Sequence, residues 1–219
     1  MGKNSILSQE QKLILDEISQ NKLLVGQFYF GGGTALSEFY LQHRYSDDLD
    51  LFTLDKFEAQ TITFFLSELS NKFNFKFESQ YIDPVLVSTV KFSENNILSI
   101  DWAYYPFPQL QKGKSYRNLA VDSLRDIAVN KLLSITQRTE IKDFVDLFFL
   151  LNDFTIWDLI EGVKKKFNME IELLTLASHF TLVEDFDFLP RMIKPIALPE
   201  LKRFFLLQAQ SLGKTTLKP

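Results

Sequence analysis

Residues 28–52 read FYFGGGTALSEFYLQHRYSDDLDLF, and the rest of the chain is interpreted around them. An aromatic run leads into Gly31, Gly32, Gly33 and Thr34, then a short apolar-periodic segment, then Asp47, Asp48 and Asp50 at the mouth of a second apolar run. This order predicts strand, glycine turn, helix, strand. Glycines let the backbone turn sharply and approach a ligand closely. Amides at the start of a helix after such a turn suit an anion such as phosphate. In a strand, residues two apart face the same side, so Asp48 and Asp50 project together while Leu49 and Leu51 pack behind them. Two adjacent carboxylates repel unless a cation sits between them, and Mg²⁺ carrying substrate phosphates is the usual one. A phosphate cradle beside paired carboxylates is the minimal equipment for phosphoryl or nucleotidyl transfer.

The segments GGTAL (32–36) and HRYSDDLDLF (43–52) resemble the nucleotidyltransferases of the AbiEii/AbiGii toxin family, a branch of the DNA polymerase β-like superfamily. That superfamily's pattern of Gly-Gly or Gly-Ser, a short helix, then Asp-hydrophobic-Asp/Glu maps onto Gly32, Gly33, Thr34, Asp48 and Asp50. The resemblance implies an α/β (α+β) fold, with a polymerase β-like mixed sheet and flanking helices followed by a helical C-terminal domain. It also implies that Asp48 and Asp50 hold Mg²⁺ (Mn²⁺ being the alternative) against an NTP. Gly32, Gly33 and Thr34 would contact phosphate, a plain helix N-cap being the other reading of Thr34. Arg44 and Ser46 would steady the triphosphate or the metal ligands, while His43 is read as a surface or capping residue.

Asp101 is a lone acid in the apolar run LSIDW (98–102), and such a group is costly to bury unless paired or metal-bound. The superfamily often supplies a third carboxylate from a later strand, and Asp101 occupies the matching place as metal ligand or general base. A solvent-facing position at a strand edge is the alternative. Farther on, DIAVNKLL (126–133) and RTEIKDFVDL (138–147) resemble the family's later motifs, the whole resemblance running from Leu24 to Leu151. By that resemblance Lys131 would contact phosphates, and Asp143 or Asp146 would orient it or bind nucleotide. Lys142 joins the nucleotide-binding set, although an ordinary i, i+4 ion pair with Asp146 is also open.

The 219 residues, 46% hydrophobic and 24% charged, are ordinary for a globular protein with ample core. With no cysteine, thiolate catalysis, disulfides and cysteine-based zinc sites are excluded. No run approaches a membrane span and the start of the chain lacks a signal-peptide core, so a cytoplasmic location is expected. A net charge of −4 argues against indiscriminate nucleic-acid binding but leaves room for a local basic face. The basic clusters 164–166 and 214–218 are read as a solvated helix end and a loose terminus. The 22 phenylalanines are assigned mainly to core rather than to base stacking, because most fall at helical or strand periodicity.

Along the chain, Ser8 and Gln11 form a candidate capping box for a helix over 8–19. Strands are expected at 23–30, 49–53, 86–92 and 97–103, with Phe73, Phe75 and Phe77 alternating in another. Helices are expected at 34–42 (Leu36, Phe39 and Tyr40 inward), 57–73 (Phe64, Phe65 and Leu69 in the core) and 122–138 (N-cap Asp122). Others are expected at 140–151, 156–167, 170–178 and 200–211. The domain boundary is placed at 112/113, giving a nucleotidyltransferase core over 1–112 and a helical domain over 113–219. The resemblance then implies a toxin that moves a nucleoside monophosphate from an NTP onto an acceptor, with tRNA or another RNA as candidate acceptor and a cognate antitoxin as partner. A small-molecule (antibiotic-type) acceptor, or a non-catalytic nucleotide-binding module on the same fold, are the alternatives.

Overall fold

In the computed structural model, which describes residues 5–216, the run expected to be the first strand divides in two. Helix α1 (Gln9–Gln20) opens with the Ser8–Gln11 capping box anticipated from sequence. Asn21 then accepts from the amides of Leu23 and Leu24 and starts a new helix, α2 (Lys22–Gln27), so only Tyr29–Gly31 remains as β1. Local capping thus overrides the strand propensity of Leu23–Val25, as a side chain that satisfies orphan helix donors does.

Next come α3 (Gly32–Leu36), which passes into a π-helical turn at Ser37–Leu41, and β2 (Leu49–Thr53). Helix α4 covers Ala59–Phe73, and β3 (Lys76–Ile82), β4 (Val85–Ser93) and β5 (Asn96–Tyr104) form an antiparallel meander. Two short strands follow, β6 (Ser115–Tyr116) and β7 (Leu119–Val121). Among the described residues seven strands make one mixed sheet in the order β3-β4-β5-β2-β1-β7-β6, with β2–β5 and β1–β7 parallel.

Strand β2 alternates strictly: Leu49, Leu51 and Thr53 are buried, while Asp50 and Phe52 lie half-buried on the opposite face. Beneath the apolar face, Trp102 packs edge-on against Phe28 and Phe65. Each such buried side chain contributes roughly 1.5–3 kcal/mol, which fixes the register: a one-residue slip would put Asp50 into the core. Two expectations fail here. Phe64 is 67% exposed, since Ile62, Phe65, Leu66 and Leu69 make the inward stripe of α4. Phe73 and Phe75 precede β3, because Asn74 takes a left-handed turn at φ 53° that ends α4.

The chain forms two compact units. The first comprises 1–40, 46–108 and 112–122, and the second 41–45, 109–111 and 123–219. Strands β6 and β7, which follow the boundary expected at 112/113, belong to the first unit's sheet. The second unit contains α5 (Leu124–Gln137), α6 (Ile141–Leu150), α7 (Ile156–Phe167), α8 (Leu173–Thr181) and α9 (Leu198–Thr216). The cap of α5 is Ser123, not Asp122: its hydroxyl accepts from the Asp126 amide. Asp126 in turn accepts from the amides of Leu110 and Gln111 and pairs with Lys166 at 2.8 Å. Lys166 is therefore a core cation rather than part of a solvated helix end, unlike the exposed Lys164 and Lys165. The basic tail continues α9 through Lys214, and Leu217–Pro219 lie outside the described residues.

Helices α5 and α7 approach closely because Gly162 has no side chain: a Cβ there would lie 2.3 Å from Val129 Cγ2. Gly162→Ala is expected to destabilise by about 1–3 kcal/mol through overpacking, less about 1 kcal/mol regained from helix propensity. Urea denaturation of Gly162→Ala and of Gly162→Ala/Val129→Ala checks this, the double variant recovering much of the loss.

Candidate active site

The carboxylates are brought together by strand register. Asp50 is the cross-strand partner of Gly31 on one side and of Asp101 on the other. Register partners share a face of the sheet, and neighbouring strands lie about 4.8 Å apart. Asp50 and Asp101 therefore stand side by side on the half-buried face, in the interior of the sheet and not at its edge. Asp50 also fills the hollow of the glycine turn. Gly32 adopts φ +68°, and a Cβ on it would sit 1.8 Å from Asp50 Oδ2. A left-handed backbone and an unoccupied Cβ position are both required, and glycine alone satisfies them without strain.

Asp48 is tied to the same turn by its backbone. The Thr34 hydroxyl donates to the Asp48 carbonyl at 2.5 Å from a fully buried position within α3. Thr34 is not the N-cap, which is Gly31; its hydroxyl proton fixes the start of β2. Ser46 is anchored likewise, its carbonyl accepting from Gln11 Nε2 at 2.8 Å. Asp122 extends the carboxylate row past Gly31. Its amide donates to the Phe30 carbonyl, and its Oδ2 lies 3.5 Å from where a Gly31 Cβ would be.

In the second unit the polar residues of the later motifs form one buried network. Asp146 accepts from Arg44 at 2.6 and 2.9 Å, from His43 Nε2 at 2.7 Å, and pairs with Lys131 at 2.8 Å. Asp143 pairs with Lys131 at 2.6 Å and with Arg138 at 2.8 Å. The question of which acid serves Lys131 has a plain answer: both do. His43, expected at the surface, is fully buried and packs edge-on against Phe149. The five-residue segment 41–45 joins the helical unit, where its two basic side chains meet Asp146. Lys142 is half-buried on α6, and the partners of Asp146 in the network are His43, Arg44 and Lys131.

The network sets charge states. Burial opposes ionisation of Asp146, yet Lys131 and Arg44 outweigh it and hold the carboxyl well below its ordinary range. Burial likewise opposes the Lys131 ammonium, and Asp146 and Asp143 prevail to raise its pKa. Asp143 is lowered in the same sense, burial being overcome by Lys131 and Arg138. For His43 desolvation wins over the Asp146 hydrogen bond, so its pKa is lowered and the ring stays neutral near pH 7.

A family model described as nucleotidyl transferase AbiEii toxin, Type IV TA system, matches residues 14–212. The chain is a member of the AbiEii family. An uncharacterised protein of Aquifex aeolicus (strain VF5), aq_aa25, is 30% identical over 185 residues, covering 82% of this chain and 84% of that one. The crystal structure of JHP933 from Helicobacter pylori aligns over 95% of this chain and 94% of its own, with TM-score 0.57 and 20% identity. MenT4, the nucleotidyltransferase toxin Rv2826c of Mycobacterium tuberculosis H37Rv, aligns over 91% and 82%, with TM-score 0.54 and 15% identity. The fold is thus that of the polymerase β-like nucleotidyltransferases, and the AbiEii match makes this a toxin-type nucleotidyltransferase.

Members of such a fold imply a metal, and the donor set can be tested against it. Among the described residues no three His, Asp or Glu side chains converge closely enough to enclose a cation. A pair of carboxylates in register is instead what Mg²⁺ uses when phosphates and water complete its octahedron. Asp50 and Asp101 fit that role, with Asp48 adjacent.

Because the network is buried, removing one member leaves an uncompensated charge. Lys131→Met is expected to cost about 3–5 kcal/mol, measured by urea denaturation at pH 7. The pH dependence has two arms. Asp146, lowered in the folded state, adds stability that is present above about pH 4 and is lost as pH falls through its depressed value. His43, also lowered, makes the unfolded chain bind a proton first, so stability begins to fall below about pH 6.5. His43→Gln should flatten the decline between pH 6.5 and 5 in denaturation midpoints.

Proposed function

We propose that this AbiEii member is a divalent-metal- and NTP-dependent nucleotidyltransferase whose acceptor is RNA, the 3′ end of tRNA being the leading candidate. It would act as the toxin of a toxin–antitoxin pair inside the cell, with a cognate antitoxin as partner. The observation that carries the reading is the register Gly31–Asp50–Asp101 together with the seating of Asp50 against Gly32.

In the proposed reaction an acceptor hydroxyl attacks the α-phosphorus of the NTP. The new O–P bond forms as the α–β phosphoanhydride bond breaks, and pyrophosphate leaves. Asp101 takes the hydroxyl proton, a role that calls for a carboxylate within hydrogen-bond reach of the acceptor. Asp50, with Asp101 beside it and Asp48 adjacent, would hold Mg²⁺ (or Mn²⁺), which when bound supplies positive charge for the attacking and leaving oxygens. The amides of Gly32 and Gly33 face phosphate, and Thr34 keeps Asp48 in place beside them. Within the helical unit Asp146 and Asp143 hold Lys131 and Arg44 in buried ion pairs, and a phosphate role for these cations rests on the family resemblance. Lys142 adds a further positive charge on α6. Asp143 and Asp146 act through those cations and are positioning residues.

Incubation with α-³²P-labelled NTPs, Mg²⁺ and total cellular RNA tests the reading. Label should enter RNA. Asp101→Asn should slow transfer about a hundredfold or more, as loss of a general base does, and Asp48→Ala and Asp50→Ala should abolish it. Label confined to a small molecule or to protein would redirect the acceptor assignment, and unchanged turnover in both alanine variants would remove the catalytic one.

A further inference from the structure

The carboxylate face of the sheet continues into a run of aromatic side chains that the reaction described above does not use. Two residues along β2 from Asp50 stands Phe52, on the same face by strand alternation. Its ring lies 5.7 Å from that of Tyr29 and 5.2 Å from that of Tyr105, and Tyr105 lies 5.0 Å from Phe107. Tyr29 is buried beneath, whereas Phe52, Tyr105 and Phe107 are half-buried.

Two features hold these rings in place. The Phe52 ring occupies space made by a missing side chain, for a Cβ on Gly31 would fall 2.7 Å from its Cε2. Tyr105 prolongs the β2–β5 ladder by one residue, its amide donating to the Thr53 carbonyl at 2.7 Å. The Phe107 amide then closes a tight turn onto the Tyr105 carbonyl at 2.8 Å. Pro106 and Pro108 flank Phe107 and restrict the backbone there. Glycine opens a seat for one ring, and the ladder and two prolines fix the other two. Such pre-organisation lowers the entropy lost when a flat ligand lands on the rings.

We propose that Phe52, Tyr105 and Phe107 form an aromatic platform for the nucleobase of the NTP, the base stacking on one ring while its neighbours, at interplanar angles of 51° (Phe52–Tyr105) and 73° (Tyr105–Phe107), meet it at their edges. The inference rests on the transferase reading. A strand rises about 3.3 Å per residue, so Phe52 is set about 7 Å from the level of Asp50, a separation that a ribose and its 5′ oxygen span. Phosphates gathered at Asp50 and Asp101 would thus leave the base over the Phe52 ring, with Tyr105 and Phe107 beyond it. That short distance favours the donor nucleotide over an acceptor base. Stacking on π-faces accepts any base, so the platform sets affinity for a nucleoside over bare phosphate and discriminates weakly among the four bases.

Calorimetric binding in the presence of Mg²⁺ separates the possibilities, using ATP, CTP, GTP, UTP and inorganic tripolyphosphate as probes. The native protein should bind the NTPs at least about tenfold more tightly than tripolyphosphate. Phe52→Leu and Tyr105→Leu should each erase most of that preference while tripolyphosphate binding is unchanged. Phe107→Leu, on the proline-flanked turn, should give a smaller loss and serves if either other variant unfolds by circular dichroism. Equal affinity of the native protein for NTPs and tripolyphosphate, or folded variants that keep the full preference, would overturn the platform and leave the phosphate site standing. Failure to bind either class of probe would overturn the transferase reading and the platform with it.

Discussion

At Gly32 the backbone turns left-handed and has no Cβ, and into that gap the Asp50 carboxylate settles. Much of the first unit follows from this contact. It demands that β1 and β2 pair with Gly31 opposite Asp50, and the parallel pairing of β2 with β5 then sets Asp101 beside Asp50. Hydrophobic burial enforces the same alignment from the other face, where Leu49, Leu51, Ile100 and Trp102 are all fully buried. Two forces thus select one register: apolar packing below the sheet and a steric vacancy above it. The carboxylates are held on the half-buried face by strand geometry rather than by a mobile loop, as a site that tolerates little misplacement requires.

The second unit solves a different problem. Asp143, Asp146, Lys131, His43 and Arg44 are buried almost completely, and any one of these charges alone would be costly there. Arranged together, each acid faces at least two basic groups, and the lysine faces two acids. The result keeps Lys131 cationic while His43 stays neutral, since desolvation outweighs its single carboxylate partner. Such a network favours geometric uniqueness over raw stability, because its net contribution is small and its partial loss is expensive.

Much of this was legible in the sequence where patterns were long or chemically unusual. The alternation LDLFT gave β2 with its bounds, the capping box gave α1, and the period-two runs gave β4 and β5. The glycine turn and the acids pointed to each other by order and spacing; the Asp50 side chain meets the turn at Gly32, and Asp48 is tied to it through its backbone carbonyl. Signals shorter than one period were not legible. Strands β6 and β7 have two and three residues, too few for alternation to show, and α2 is six residues started by one asparagine. Long-range partnerships were hidden for a different reason. Nothing local to His43 announces Asp146, 103 residues away, and nothing in a run of three lysines shows that Lys166 alone turns inward to Asp126. Periodicity misled once in a useful way: the phenylalanines were assigned mainly to core, yet only eight of the 22 are buried, and Phe52 and Phe107 sit half-exposed along the carboxylate face.

The central claim is that the carboxylates aligned by the glycine turn bind a metal-loaded triphosphate. Crystals grown with Mn²⁺ and a non-hydrolysable NTP analogue, measured for anomalous scattering at the manganese edge, address it directly. The account predicts an anomalous peak in coordination contact with Asp50 and Asp101, with the triphosphate running past the Gly32–Gly33 amides. Ordered nucleotide elsewhere on the protein, with no manganese on those carboxylates, would contradict it.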